Sequence, residues 1–187
     1  MNEINDYNFW YNETHKHGKV YDYGPEYRFN KIIQQILFNL ELPVGKVVML
    51  GSHRCFGLNI LCEKYGSKNV IGFDLYNPTN HPCVKIKNII ELKEKIDCSL
   101  TINDLSFEFT PKAKIAGQEW AAKNTVKNGY VLCTTNSNSA NYKIEEYMRE
   151  EGFELIKLNQ FPTKGIEDWV LDVYCLYKKC LVWGKVE

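Results

Sequence analysis

Hydrophobic positions in this chain alternate between two periods along its length. Phe29, Ile32, Ile33, Ile36, Leu37 and Leu40 recur at helical spacing and make one apolar face. Gly24-Pro25 predicts where that helix opens, because proline is pre-shaped for a first helical position, and Pro43 closes it. Val47-Val48-Met49-Leu50 is an unbroken apolar run, which predicts a buried strand over 46–50 that stops at Gly51. The loop 52–57 leads into a helix over 58–65, and Gly66 supplies its left-handed stop. A second apolar run, 70–74, ends at Asp74. The same pattern then predicts a strand at 83–86, a short helix at 89–95, a strand at 99–103 and a helix at 112–124. Gly129 begins a strand at 130–134, and a helix capped within 137–139 runs through Met148 to Gly152.

Strand and helix alternate five times, so the sheet should be parallel with helices on both faces. The tail breaks the pattern. Residues 153–158 and 169–177 both read as strands, and the joining piece 159–168 holds Pro162 and Gly165 without a helical period. A parallel crossover needs about a dozen residues and usually a helix, so these two strands should run antiparallel. The expected architecture is a three-layer α/β domain whose mostly parallel, seven-stranded sheet ends in a reversed hairpin strand. All 187 residues suit one domain, with 1–24 a polar, aromatic segment that could act as a lid.

The first strand–helix–strand unit has the layout of a nucleoside site. A glycine lets the backbone turn tightly beneath a ligand, and an acid ~20 residues further on can accept both ribose hydroxyls. Here those residues are Gly51 and Asp74.

Charge narrows the partners. Lysines and arginines number 23 against 23 acids, so no global field draws the chain to nucleic acid or anionic lipid, and a small-molecule substrate is favoured. The apolar runs fall short of the ~20 residues that span a bilayer. The polar, acidic start Met1-Asn2-Glu3-Ile4-Asn5-Asp6 lacks the character of a secretion signal, so a cytoplasmic location is expected. Seven cysteines, an odd number without any Cys-x-x-Cys pair, argue against a disulfide framework or structural zinc and read as small buried hydrophobes. His15 and His17 do not make a metal site, His53 reads as structural, His81 precedes Pro82 in a turn, and no metal is expected.

Taken together, these elements resemble the class I S-adenosylmethionine-dependent methyltransferases, over roughly residues 25–180. The resemblance implies their Rossmann-like sheet with strand order 3-2-1-4-5-7-6, and S-adenosylmethionine as cofactor. It implies that Gly51, Ser52 and Gly57 pass under the methionine part, that Asp74 holds the ribose, and that Leu75 lies beside the adenine. The end of the fourth strand would flank the transferable methyl group, making Asn103 a cofactor contact and, with Asp104, the candidate catalytic pair. Asp104 would take or steer a proton, and Asn103 would orient the acceptor through its amide. Tyr11, His15 or Tyr21 would lie over the cofactor. The chain departs from the family's acid-x-Gly-x-Gly-x-Gly motif, with Met49 for the acid and His53 and Cys55 for two glycines. Asn103-Asp104-Leu105-Ser106 lacks the Pro-Pro-aromatic sequence of nucleic-acid amino-methyltransferases. The implied activity is methyl transfer to a small molecule. A non-catalytic module of the same fold would suit the altered motif. A nicotinamide-dependent oxidoreductase would suit Asp74, but the absent Gly-x-Gly-x-x-Gly and the reversed hairpin count against it.

Overall fold

A computed structural model describes residues 31–52, 55–77, 79–104, 111–135, 138–162 and 171–180. The chain divides into two compact units, residues 1–40 and 41–187. The described part of the first, residues 31–40, contains helix α1 (Lys31–Phe38), which falls within the predicted amphipathic stretch.

In the second unit, β1 (Lys46–Leu50) buries Val47, Val48, Met49 and Leu50, the burial on both faces that a central parallel strand requires. Helix α2 (Phe56–Tyr65) returns the chain to β2 (Val70–Asp74), followed by the short edge strand β3 (Val84–Ile86). The strand β4 (Cys98–Asn103) is buried along its whole length. Then come α3 (Pro111–Asn124), β5 (Thr125–Thr135), α4 (Asn138–Glu150), β6 (Phe153–Pro162) and β7 (Leu171–Lys179). The seven strands form one sheet in the order β3-β2-β1-β4-β5-β7-β6. Pairing is parallel from β3 through β5, while β7 runs antiparallel to both β5 and β6. The reversed C-terminal strand expected from a connection without a helical period is therefore present, although residues 159–162, read as part of that connection, belong to β6, where Pro162 pairs with Leu171.

Helices cover both faces. Ile71 and Phe73 of β2 pack with Val48, Leu50 and Trp120 of α3, and Phe73 and Trp120 meet edge to face at 5.8 Å between centroids. Gly72, between them, faces the other way, where Leu58 of α2 lies directly against it. A second cluster joins Ala121 and Ala122 of α3 and Ile144 and Met148 of α4 to Val131, Phe153 and Tyr177 of the sheet. Trp120 is thus a core residue, and its indole N–H donates to the Glu94 carbonyl at 2.8 Å.

Two further expectations needed correction. The helix predicted over 89–95 is only a 3-10 turn, Ile89–Glu91, capped by the Asn88 side chain. Tertiary partners take the backbone beyond it: Trp120 takes the Glu94 carbonyl, and Ile96 N–H donates to Asn124 Oδ1 at 2.8 Å. The strand predicted from 130 begins at Thr125 instead. Thr125 pairs with Cys98 and Tyr130 with Leu100, so the residues between bulge out of the ladder, with Asn128 at φ 63°. Periodicity saw only the regular part. Trp169, expected in the last strand, lies outside the described residues. Among those residues, no helix is long and apolar enough to cross a membrane.

Candidate functional site

The strand order reverses beside β1, whose neighbours are β2 on one side and β4 on the other. Connections leave these strands in opposite directions, which opens a crevice at their carboxyl ends. The register brings the candidate residues to that edge together, since Leu50 pairs with both Phe73 and Asn103. Gly51 and Asp104, each one residue further on, leave the sheet at the level where Asp74 ends β2. Backbone bonds fix them there. Gly51 N–H donates to the Phe73 carbonyl at 2.9 Å, and Asp104 N–H donates to the Leu50 carbonyl at 3.0 Å.

Gly51 turns the chain at φ 80°, a conformation that costs glycine nothing. Ser52 follows, 3 % exposed, and its hydroxyl has no hydrogen-bond partner among the described residues. Its carbonyl accepts the Cys55 N–H at 2.7 Å. Cys55, at a position where the family motif carries glycine, itself adopts the left-handed conformation at φ 65°. The loop keeps a glycine-like turn without the glycine, at a cost of about 1–2 kcal/mol. The Cys55 sulfur is buried and accepts a hydrogen bond from Thr79 Oγ1 at 3.3 Å. Gly57 lies buried in the first turn of α2.

Asp74 ends β2 with a side chain only 3 % exposed. Its Oδ1 accepts the Tyr76 N–H at 3.2 Å, a local turn that holds the carboxylate at the strand end with Leu75 half-buried beside it.

Asn103 is fully buried, and its amide nitrogen donates to the Lys114 carbonyl at 3.0 Å and to Gln118 Oε1 at 3.1 Å. Both amide hydrogens are thereby committed to tying β4 to α3. Asp104 is half-buried at the crevice edge.

Lys114 is the residue that sequence reasoning missed. It is fully buried, and its ammonium donates to the Asn103 carbonyl at 2.5 Å. Burial pushes the neighbouring Cys133 thiol up, opposed by the Lys114 ammonium and reinforced by Asp104. Lys114 and Asp104 are therefore both close to Cys133 at the ends of β4 and β5. Lys114, Gly117, Gln118, Ala121 and Ala122 are all buried and follow a helical spacing, a face invisible to a search for large apolar residues. Gly117 makes the close approach possible: a Cβ there would lie 3.2 Å from Leu50 Cδ1 and 3.3 Å from Asn103 Oδ1.

His81 makes two hydrogen bonds through its ring. Its Nδ1 accepts the Cys83 N–H at 3.1 Å, which leaves Nε2 to donate to Asn59 Oδ1 at 3.0 Å. Tyr11, His15, Tyr21 and His53 lie outside the described residues, as does most of the loop after β4. No group of three or more potential metal ligands occurs among the described residues.

No protein-family model matches the chain, and no curated protein matches it in sequence. Solved structures do match. The chain is similar to a 1,6-didemethyltoxoflavin-N1-methyltransferase from Burkholderia thailandensis, solved with 1,6-didemethyltoxoflavin and S-adenosylhomocysteine, at TM-score 0.70 and 12 % identity. That match covers 95 % of this chain and 88 % of the other. An S-adenosylmethionine-dependent methyltransferase from Clostridium acetobutylicum matches at TM-score 0.59 and 13 % identity, covering 96 % of this chain and 100 % of the other. An rRNA methylase from Streptococcus thermophilus matches at 0.54 and 10 %, covering 80 % and 95 %. The fold is that of the class I S-adenosylmethionine-dependent methyltransferases. Small-molecule and RNA enzymes both use it.

Proposed function

We propose that the chain binds S-adenosylmethionine in the crevice at the ends of β1, β2 and β4 and methylates a small-molecule acceptor. Asp74 carries the reading: a buried carboxylate at the end of β2, level with the Gly51 turn, where the two hydroxyls of a ribose can meet its two oxygens. The loop fits the rest of the nucleoside. Gly51 and the left-handed Cys55 keep the backbone tight, and the buried Ser52 hydroxyl retains its hydrogen-bonding capacity for a ligand. Gly57 would underlie the methionine part and Leu75 the adenine.

When bound, S-adenosylmethionine supplies an electrophilic methyl group on a sulfonium. The chain's own contribution is position and proton management. Asp104, fixed through its N–H to Leu50, would accept the acceptor's proton or hold its hydroxyl or amine in line. Asn103 and Lys114 would act beneath it, by clamping the last residue of β4 to α3. A small acceptor is supported by the balanced charge and by the nature of the Burkholderia thailandensis enzyme's ligand.

Two other readings keep a specific motive. The replaced glycines favour a non-catalytic module, and Asp74 would serve a nicotinamide dinucleotide equally well. Calorimetric titration with S-adenosylhomocysteine and with NAD separates them. Micromolar binding of the first supports the proposal. Binding of neither favours the module, and binding of NAD alone overturns it.

A further inference from the structure

The fold brings together two thiols that are far apart in sequence. Cys62 lies in the last turns of α2, and its S–H donates to the Cys83 sulfur at 3.6 Å. Cys83 immediately precedes β3, and its own thiol donates to the Ser67 carbonyl at 3.4 Å. Both backbones are anchored. The Cys62 carbonyl accepts the Gly66 N–H at 2.9 Å; the Cys83 carbonyl accepts Gly72 N–H at 2.9 Å, and its N–H reaches His81. A disulfide needs the sulfurs at about 2.05 Å, so the two have only about 1.5 Å to close. Unlike Cys55, Cys98, Cys133 and Cys175, which are buried, both members of this pair are partly exposed.

We propose that Cys62 and Cys83 form a redox couple, which a low-molecular-weight disulfide of the glutathione class oxidises to an intramolecular disulfide. The Cys83 thiol, whose sulfur accepts the hydrogen bond, gives up its proton to solvent, attacks one sulfur of the reagent and expels a thiolate, which takes up a proton. Cys62 then gives up its proton and attacks the Cys83 sulfur of the mixed disulfide, expelling the second thiolate. Two protein S–H bonds and the reagent S–S bond break. One protein S–S bond and two reagent thiols form, and the reagent takes both electrons.

Burial, with Cys83 beside it, pushes the Cys62 thiol up to about 12, which keeps it protonated as the donor of the pair. Once Cys83 is tied up in the mixed disulfide, its contribution is gone and Cys62 loses part of what holds it protonated, burial remaining. The bond would fasten α2 to the start of β3 and enclose residues 62–83, which include β2 and Asp74. Neither step uses the proposed cofactor, so the couple stands apart from the methyltransferase reading.

Cys133 and Cys175 are an internal control. They lie directly opposite in the β5–β7 ladder, yet both are about 1 % exposed, beyond the reach of the reagent. The test is incubation of the full chain with glutathione disulfide, followed by peptide mass spectrometry without reduction. The expected product is a Cys62–Cys83 crosslink in most molecules, two hydrogens lighter, with five of the seven thiols still alkylatable after unfolding. Cys62→Ser, or Cys62→Ala should the serine variant fold poorly, should stop at a glutathione adduct on Cys83. The inference is overturned if all seven thiols stay free, if wild-type Cys83 retains a stable adduct, or if another pair links preferentially.

Discussion

Replacing Gly72 by alanine tests how β1, β2 and α2 together shape the proposed cofactor loop. A Cβ at this position would lie 2.9 Å and 3.3 Å from the two Leu58 methyls and 3.2 Å from Ser52 Cβ. Ordinary carbon contacts are about 3.5–4.0 Å, so all three neighbours must move by several tenths of an ångström. Leu58 is fully buried and has little room to turn away. Overpacking of this kind costs about 1–3 kcal/mol. The loss of glycine's freedom in the unfolded chain offsets about 0.4–1 kcal/mol, because Gly72 does not occupy the left-handed region. The net expectation is destabilisation by about 0.5–2 kcal/mol, measured by urea unfolding with an unchanged m-value. Ser52 would be displaced too, so affinity for S-adenosylhomocysteine should fall more than stability alone explains. A double-mutant cycle isolates the contact. In a Leu58→Ala background, where the opposing methyls are gone, the Gly72→Ala penalty should largely disappear. A neutral Gly72→Ala, or an equal penalty in both backgrounds, would refute the packing described for this loop.

Three further outcomes follow from other residues. Lys114→Ala removes a buried stem and the donor to the Asn103 carbonyl, so urea unfolding should show a loss of about 2–4 kcal/mol. Cys55→Val places a β-branched side chain at φ 65° and should cost about 2 kcal/mol or more by thermal unfolding, whereas Cys55→Gly should stay within about 1 kcal/mol of wild type. Glu94 carries a carboxyl held below its ordinary value, first by its own backbone N–H and then by Lys87 at 3.2 Å. Its stabilisation is therefore present above the unfolded carboxyl range and lost as pH falls through the lowered folded value. Glu94→Gln should cost only about 0.2–1 kcal/mol at neutral pH, since Lys87 is half-exposed, and the difference should vanish in acid.

The strands of the first half of the sheet were legible because burial on both faces writes itself as short apolar runs; 46–50 and 70–74 were read at their observed bounds. The reversed strand was legible from what its connection lacked. Less visible was anything that depends on polar or small residues meeting across the fold. Lys114 reads as a surface lysine until Gly117 allows α3 to approach β4 closely enough for its ammonium to reach Asn103. The same approach commits the Asn103 amide, a role that spacing along one strand cannot reveal. Cys55 looked like a defect in a glycine motif, yet the backbone takes the left-handed turn regardless. Cys62 and Cys83 looked like unrelated hydrophobes because the return of β2 and β3 beside α2 is what brings their sulfurs to 3.6 Å.

The central claim is that the Asp74 carboxylate grips a ribose. Calorimetry with S-adenosylhomocysteine and its 2′,3′-dideoxy analogue, on wild type and on Asp74→Ala, tests it most directly. Either change alone should weaken binding by about 1–3 kcal/mol, or about 5- to 150-fold, and the second should add little once the first is made. Folded wild-type protein that binds neither compound, or Asp74→Ala that loses nothing, would contradict the account.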